Sequence, residues 1–282
     1  VFLSNDPYVG RGSHLPDVAM AAPIFYEKKL LLFVCNIAHH ADIGGMSPGS
    51  MAGGMTEIYQ EGLRIPPIRL FKSGKLMEDV MDMILLNVRV PEERRGDYNA
   101  QIASNKLGIK RCLDLIKKWG AKNIDEGCDV IIKSVAKRTR KSVSNLPDGT
   151  YTFEDIVDDD GLSRKNIVLK VSITVKKDQI IFDFSGTDPQ VEGNNNVTMA
   201  GLQACCLYCI KVLLDPDCPQ NHGMLDPVSI IAPEGTIVNA AFPSASAARA
   251  QTGQRIVDVI FGALAPACPQ NIIAAGNGAN TS

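Results

Sequence analysis

Strand-forming and helix-forming text are kept apart in this chain. Two alternating, β-rich stretches at 18–26 and 29–38 come first, around the turn Glu27-Lys28, and read as a hairpin. Two helical stretches follow. In 96–120 the apolar residues Ile102, Leu107, Ile109, Cys112, Leu113, Leu115 and Ile116 recur at helical spacing, and Gly120 is placed to end the helix. In 123–144 the pattern runs through Ile124, Cys128, Val130, Ile131, Ile132 and Val135. It closes on the basic run Lys137, Arg138, Arg140 and Lys141, which complements a helix C-terminus and reads as a solvated helix end. From 149 the text returns to strands at 151–157, 166–175 and 179–184, an antiparallel meander. A helix at 202–214, a strand at 228–231 and a long apolar segment at 247–264 complete it.

Strict alternation of strand and helix would give a parallel sheet; segregated runs give an α+β fold, with antiparallel sheets and packed helices. We therefore expect a loop-and-hairpin region at 1–95, a helical segment at 96–144 and an α+β region at 145–282 that forms one continuous domain with the first part. The opening residues 1–12 read as the middle of a folded unit, and 274–282 as a Gly/Asn-rich turn. The sequence is expected to be a fragment of a larger subunit, with no targeting peptide.

Composition removes several function classes. Of 282 residues, 45% are apolar and 21% charged, enough to bury a core and remain soluble. A formal net charge of −2 gives no electrostatic case for nucleic acid or an anionic membrane surface. No apolar run approaches the ~20 residues that span a bilayer. The eight cysteines sit mostly in apolar text, as Cys35 and Cys112 do, and read as free thiols in a reducing cytoplasm. Cys206 and Cys209 have C-x-x-C spacing but lack a second Cys/His cluster, so neither a zinc knuckle nor a redox motif is expected.

Histidine placement carries the chemistry. Three of four histidines fall in the first 40 residues, and two open the same pattern: His14-Leu15-Pro16-Asp17 and His39-His40-Ala41-Asp42. A single His-x-x-Asp is more often a local hydrogen bond than a site. Here the two copies flank one hairpin, whose strands run out and back, so two imidazoles and two carboxylates converge. That donor set suits Zn²⁺, Mn²⁺ or Fe²⁺ and leaves coordination positions open, as hydrolysis or carboxylation requires. The metal candidates are His14, Asp17, His39 and Asp42. Asp6 is a further ligand or a group orienting an imidazole, and His40 a ligand, base or orienting group. The glycines of 44–54 imply backbone wrapped tightly around something.

Other clusters are less specific. Asp183–Thr187 reads as an Asx or Ser/Thr turn, and Glu192–Asn196 as a loop or a pocket lining. Arg249 and Arg255 could each clamp a carboxylate or phosphate, or be salt-bridged helix arginines. Asp6, His40 and Arg249 are the candidates for catalytic roles. G-x-x-x-x-G-K-[ST] does not occur, so the chain carries no sign of binding ATP itself.

The blocks NDPYVGRGSHLPD, AHHADIGGMSPGS, EIYQEGLRIPPIRL, DFSGTDPQ and IIAPEGTIVNAAFPSASAARAQTGQRIVD occur in order along nearly the whole chain. Together they resemble the hydantoinase B/oxoprolinase family. Arg11, where the family usually has glycine, and His222 depart from its pattern.

The resemblance implies a metal-binding B-type subunit working in a hetero-oligomer with a hydantoinase A-type subunit or domain, which uses ATP to phosphorylate the substrate oxygen. The metal, Zn or Mn, would be held by His14, Asp17, His39 and Asp42. The implied reaction is hydrolysis of a small cyclic amide (hydantoin, lactam or 5-oxoproline), with carboxylation of a ketone as the alternative. A non-catalytic assembly scaffold and an ATP-independent metallohydrolase are the rivals from other classes.

Overall fold

A computed structural model describes residues 1–278; the last part of the expected C-terminal turn, 279–282, lies outside the described residues. The chain packs as two compact units, Val1–Cys128 and Asp129–Ser282. The boundary falls inside the second long helix, so the helical segment expected at 96–144 is shared between them.

The first unit is built on a four-stranded sheet. Its elements in chain order are β1 (Phe2–Ser4), β2 (Asp17–Tyr26), β3 (Lys29–His39), α1 (Ile58–Glu61), β4 (Ile68–Arg69), the small hairpin β5 (Phe71–Lys72) and β6 (Lys75–Leu76), α2 (Glu78–Leu86) and α3 (Pro91–Trp119). The sheet order is β3-β2-β1-β4, and its pairs are antiparallel. Glu27 and Lys28 both adopt positive φ, 49° and 66°. A two-residue turn of that kind matches the twist of the strands it joins and sets Tyr26 opposite Lys29. A bulge between Ile24 and Phe25 then shifts the register by one residue, so that Asp17 stands opposite His39 at the far end.

Along β2 the residues Val18, Met20, Ala22 and Ile24 are buried, alternating with more exposed ones. This buried face packs on α3, whose Tyr98 and Ile102 join Leu3, Leu15, Val18, Met20, Ile43 and Met81 in one core. Helix α3 starts at Pro91 with Glu92 and Glu93 in its first turn and ends with Lys117 and Lys118, charges that suit the helix dipole. Gly120 caps it at φ 83°, its N–H bonded to the Ile116 carbonyl. Helix α4 (Ala121–Val143) follows.

The second unit holds β7 (Gly149–Asp159), β8 (Lys165–Lys176), β9 (Gln179–Asp183), α5 (Met199–Leu214), β10 (Val228–Ile231) and α6 (Arg249–Leu264). Strands β7, β8 and β9 form the expected antiparallel meander. Strand β10 departs from it by running parallel to β9, because α5 lies between them in sequence and returns the chain to the same end of the sheet. Helices α5 and α6 pack on each other, and α6 packs on β7 and β8, over Ile167, Leu169, Val171, Phe182, Leu202, Cys206, Ile256 and Ile260.

Candidate metal centre

The hairpin register brings the donors together. Asp17 and His39 are cross-strand partners at the open end of β2 and β3, where side chains directly opposite share a face about 5 Å apart. His14 reaches the same point through a tight turn: the Asp17 N–H donates to the His14 carbonyl at 3.2 Å. Asn5 pins the loop that carries His14, its amide donating to the Leu15 and Leu63 carbonyls while its oxygen accepts from Ile65 N–H.

The result is one group of donors, His14, Asp17 and His39, whose ligand atoms all lie within 4.8 Å of one another. Two ligands bonded to one zinc-sized ion at about 2.1 Å stand roughly 3–4 Å apart; His14 Nε2 and Asp17 Oδ2 are 3.2 Å apart. The imidazole rings of His14 and His39 have centroids 5.0 Å apart. His14 is buried and His39 exposed, so the group is backed by the loop and open on the strand side. The Ser13 hydroxyl donates to Asp17 Oδ2, fixing how the carboxylate is turned. Two imidazoles and one carboxylate therefore fit a divalent ion both in donor chemistry and in spacing.

Asp42 is not brought into this group. Its Oδ1 accepts from the N–H of Gly44 and Arg89, and its Oδ2 from Gly49 N–H and the Arg89 guanidinium at 3.0 Å. Burial acts to raise its pKa, but those donors outweigh it and hold the carboxyl below its ordinary value. Asp42 instead ties together the glycine loop. Gly44 and Gly45, at φ 88° and 84°, pass so close to the carbonyls of Asn87 and Gln60 that a side chain would collide with them.

Asp6 likewise organises backbone: its Oδ1 accepts from Tyr8 and Val9 N–H, and its Oδ2 pairs with Arg64 at 2.6 Å.

His40 faces the core. Its Nε2 bonds Gln101 Oε1 at 3.0 Å, and its ring lies against Tyr98, centroids 4.5 Å apart. Gln101 Nε2 donates to the Val18 carbonyl and to Asn36 Oδ1, so its oxygen must accept, and His40 carries its proton on Nε2. Burial pushes the His40 pKa below the ordinary value. A neutral ring that donates to an amide beneath the sheet acts as a strut.

Arg249 lies in the second unit, at the first residue of α6, with Nη1 donating to the Ala247 carbonyl at 3.4 Å. Arg255 is a salt-bridged helix arginine, paired with Asp155 at 2.9 Å and Asp258 at 3.4 Å. Asp183 accepts from Ser185 N–H in an Asx turn, and Asn196 is buried with its amide bonded to Val191, Gly193 and Ala245. The basic run is paired too, Arg138 with Asp215 and Arg140 with Asp178 and Asp226. All eight cysteines are free thiols, and burial raises those of Cys206 and Cys209. Ser13, Gln101 and Arg89 are supporting residues that sequence reasoning misses. Gln101 and Asn105, polar and one turn apart on the same face as Ile102, were a usable signal.

The hydantoinase B/oxoprolinase family model matches residues 1–282. An uncharacterized protein of Methanocaldococcus jannaschii is 40% identical over 99% of this chain and 49% of its own length. A putative B-type D-/L-hydantoinase subunit of Pseudomonas sp. is 33% identical over 97% of this chain and 48% of its own. Among solved structures, the ATP-dependent caprolactamase from Pseudomonas jessenii superposes with a TM-score of 0.87 at 26% identity, covering 96% of this chain and 47% of that one. A nucleotide-free acetone carboxylase shares the fold, with a TM-score of 0.89 at 18% identity over 98% of this chain and 39% of that one. The chain thus spans about half the length of the archaeal and Pseudomonas sp. relatives. Its fold, its donor-bearing hairpin and a full-length family match agree: the chain belongs to the hydantoinase B/oxoprolinase family.

Proposed function

We propose that this chain is the metal-binding part of an ATP-dependent cyclic-amide hydrolase, acting in a hetero-oligomer with a hydantoinase A-type partner that uses the ATP. The observation that carries the reading is the convergence of His14, Asp17 and His39 at the open end of one hairpin. The similarity to a putative B-type hydantoinase subunit and to an ATP-dependent caprolactamase supports the reaction class. We place the work in the cytoplasm, in keeping with eight free thiols.

His14 and His39 would hold the ion through ring nitrogens, and Asp17 through a carboxylate oxygen kept in place by Ser13. Zinc or manganese suits this donor set. When bound, such an ion supplies Lewis acidity toward a substrate oxygen. His14, buried beneath the loop, fixes one side of the site. His39 leaves the other side open for a ring to approach. His40 and Gln101 hold the strand ends from below, and Asp42 and Asp6 shape the loops on either side.

Elemental analysis of the purified protein, followed by assay with its partner and ATP, tests this. About one equivalent of Zn or Mn, lost in His39→Ala, together with ATP-dependent opening of a hydantoin or lactam, is the expected result. Metal-free protein after reconstitution would leave the scaffold reading. Consumption of acetone and bicarbonate in place of a cyclic amide would make it a ketone carboxylase, and ring opening without ATP or partner an independent metallohydrolase.

A further inference from the structure

The sheet face that carries Asp17 and His39 continues beyond them. Residues two apart on a strand share a face, so the next rung is Ala19 opposite Ile37, with Ser4 of β1 beyond Ala19. The rung after that is Ala21, opposite Cys35 on one side and Phe2 on the other. Ala19, Cys35 and His39 are exposed, and Ile37 is 62% exposed. The other face of the same strands is buried under α3. On the loop side the donors are closed in, with His14 and Leu15 only 1% and 0% exposed. A molecule held at the donors therefore extends along the strands, over Ala19 and Ile37.

Successive rungs on one face are about 6.6 Å apart, close to the width of a five-membered ring. A ring placed at Asp17 and His39 sets its substituent on the Ala19–Ile37 rung. That rung and the next carry no cation; Arg69 of β4 stands opposite Phe2, two strands away from Ala21. An anionic substituent here would find no side-chain cation to pair with, whereas each methylene laid against Ile37 gains up to roughly fourfold in binding.

We propose that Ala19 and Ile37 are specificity-determining residues, and that the substrate is a cyclic amide whose substituent beside the reacting carbonyl is uncharged and apolar, not a carboxylate. This rests on the metal-site reading above. Small Ala19 leaves room for the substituent, and Ile37 flanks it.

The test compares 5-isobutylhydantoin with hydantoin-5-acetate in the metal-loaded, full-length protein assembled with its ATP-using partner, for wild type, Ala19→Lys and Ile37→Lys. Both positions are exposed. Ile37 is on the edge strand β3, where lysine is benign to folding, and Ala19 is on the inner strand β2, so the Ile37 variant keeps the test decisive if Ala19→Lys fails to fold. Metal content is measured for each variant. The expected result is a wild-type kcat/KM at least roughly tenfold higher for the isobutyl compound. In both lysine variants the ratio should shrink or invert at unchanged metal content, through KM more than kcat. Metal-replete variants that keep the wild-type ratio, or a wild type that prefers the acetate, would overturn the assignment. Wild-type enzyme with metal and ATP that opens neither ring would bring down the reaction reading, and this inference with it, so the two failures are distinguishable.

Discussion

At the scale of single residues, carboxylates that look alike in the sequence do different work. Asp17 stands at a ladder end with a hydroxyl donor beside it, and Asp42 is enclosed by three backbone N–H groups and a guanidinium. Replacing Ser13 with alanine should weaken metal binding about 10–100-fold while leaving the fold intact, because it loosens a ligand without touching the core. Competitive metal titration would show it, and an unchanged affinity would remove Ser13 from the site. Asp42→Ala should act on stability instead, since buried donors lose their acceptor at a cost of about 3 kcal/mol. A Tm lowered by roughly 6–12 °C is expected from a loss of that size; an unchanged Tm would contradict the anchoring role. Asp160 gives the pH counterpart in the second unit. Burial acts to raise its pKa, but the N–H groups of Leu162, Arg164 and Gly193 outweigh burial and hold it below the ordinary value. A depressed carboxyl contributes stability above its unfolded pKa of about 3.9, and that stability is lost as pH falls through the lower folded value. Asp160→Asn should therefore lower stability at neutral pH and flatten the acid limb of the unfolding profile; a profile parallel to wild type would count against it.

At the scale of elements, helix α3 governs the hairpin through amides. Gln101 bonds the Val18 carbonyl, the Asn36 amide and the His40 ring at once, and the Asn36 amide donates to Asn105 Oδ1 at 2.9 Å. Gln101→Met keeps the volume and removes those bonds, so it should speed amide exchange at the ends of β2 and β3 and weaken metal binding in parallel. Loss of stability with metal affinity intact would mean that the strands hold their register unaided. The hairpin itself was legible because alternation, a two-residue turn and a pair of His-x-x-Asp motifs point the same way. Its amide struts were not, since Gln101 is 83 residues from Val18 and nothing local announces the pairing. The same holds for Asp42, whose partner Arg89 is 47 residues on, and for Asp6, whose partner Arg64 is 58 away: pattern identifies donor types, while long-range partners decide which of them face the site. Strands β1 and β4 span three and two residues, too short for a period to register, and the nine-residue α2 lies just before the stretch whose periodicity is clear.

At the scale of the whole chain, all three metal donors fall in one compact unit, Val1–Cys128, and none in the other. A ligand that binds only the folded form stabilises what it binds by RT ln(1 + [L]/Kd), about 2.7 kcal/mol at a hundredfold excess over Kd. That corresponds to about a hundredfold slowing of exchange at amides that exchange only when the binding unit opens. Adding Zn²⁺ or Mn²⁺ to metal-stripped protein should therefore protect β2, β3 and the core-facing turns of α3. Amides of β7, β8 and β9 should exchange as before and serve as the internal reference. Protection in neither unit would reject the metal site outright. Equal protection in both would show that they unfold as one cooperative body, and protection confined to the second unit would move the site away from the hairpin. The His39→Ala protein tests the third donor in the same experiment: an ion that slows exchange there as strongly as in the wild type does not depend on His39.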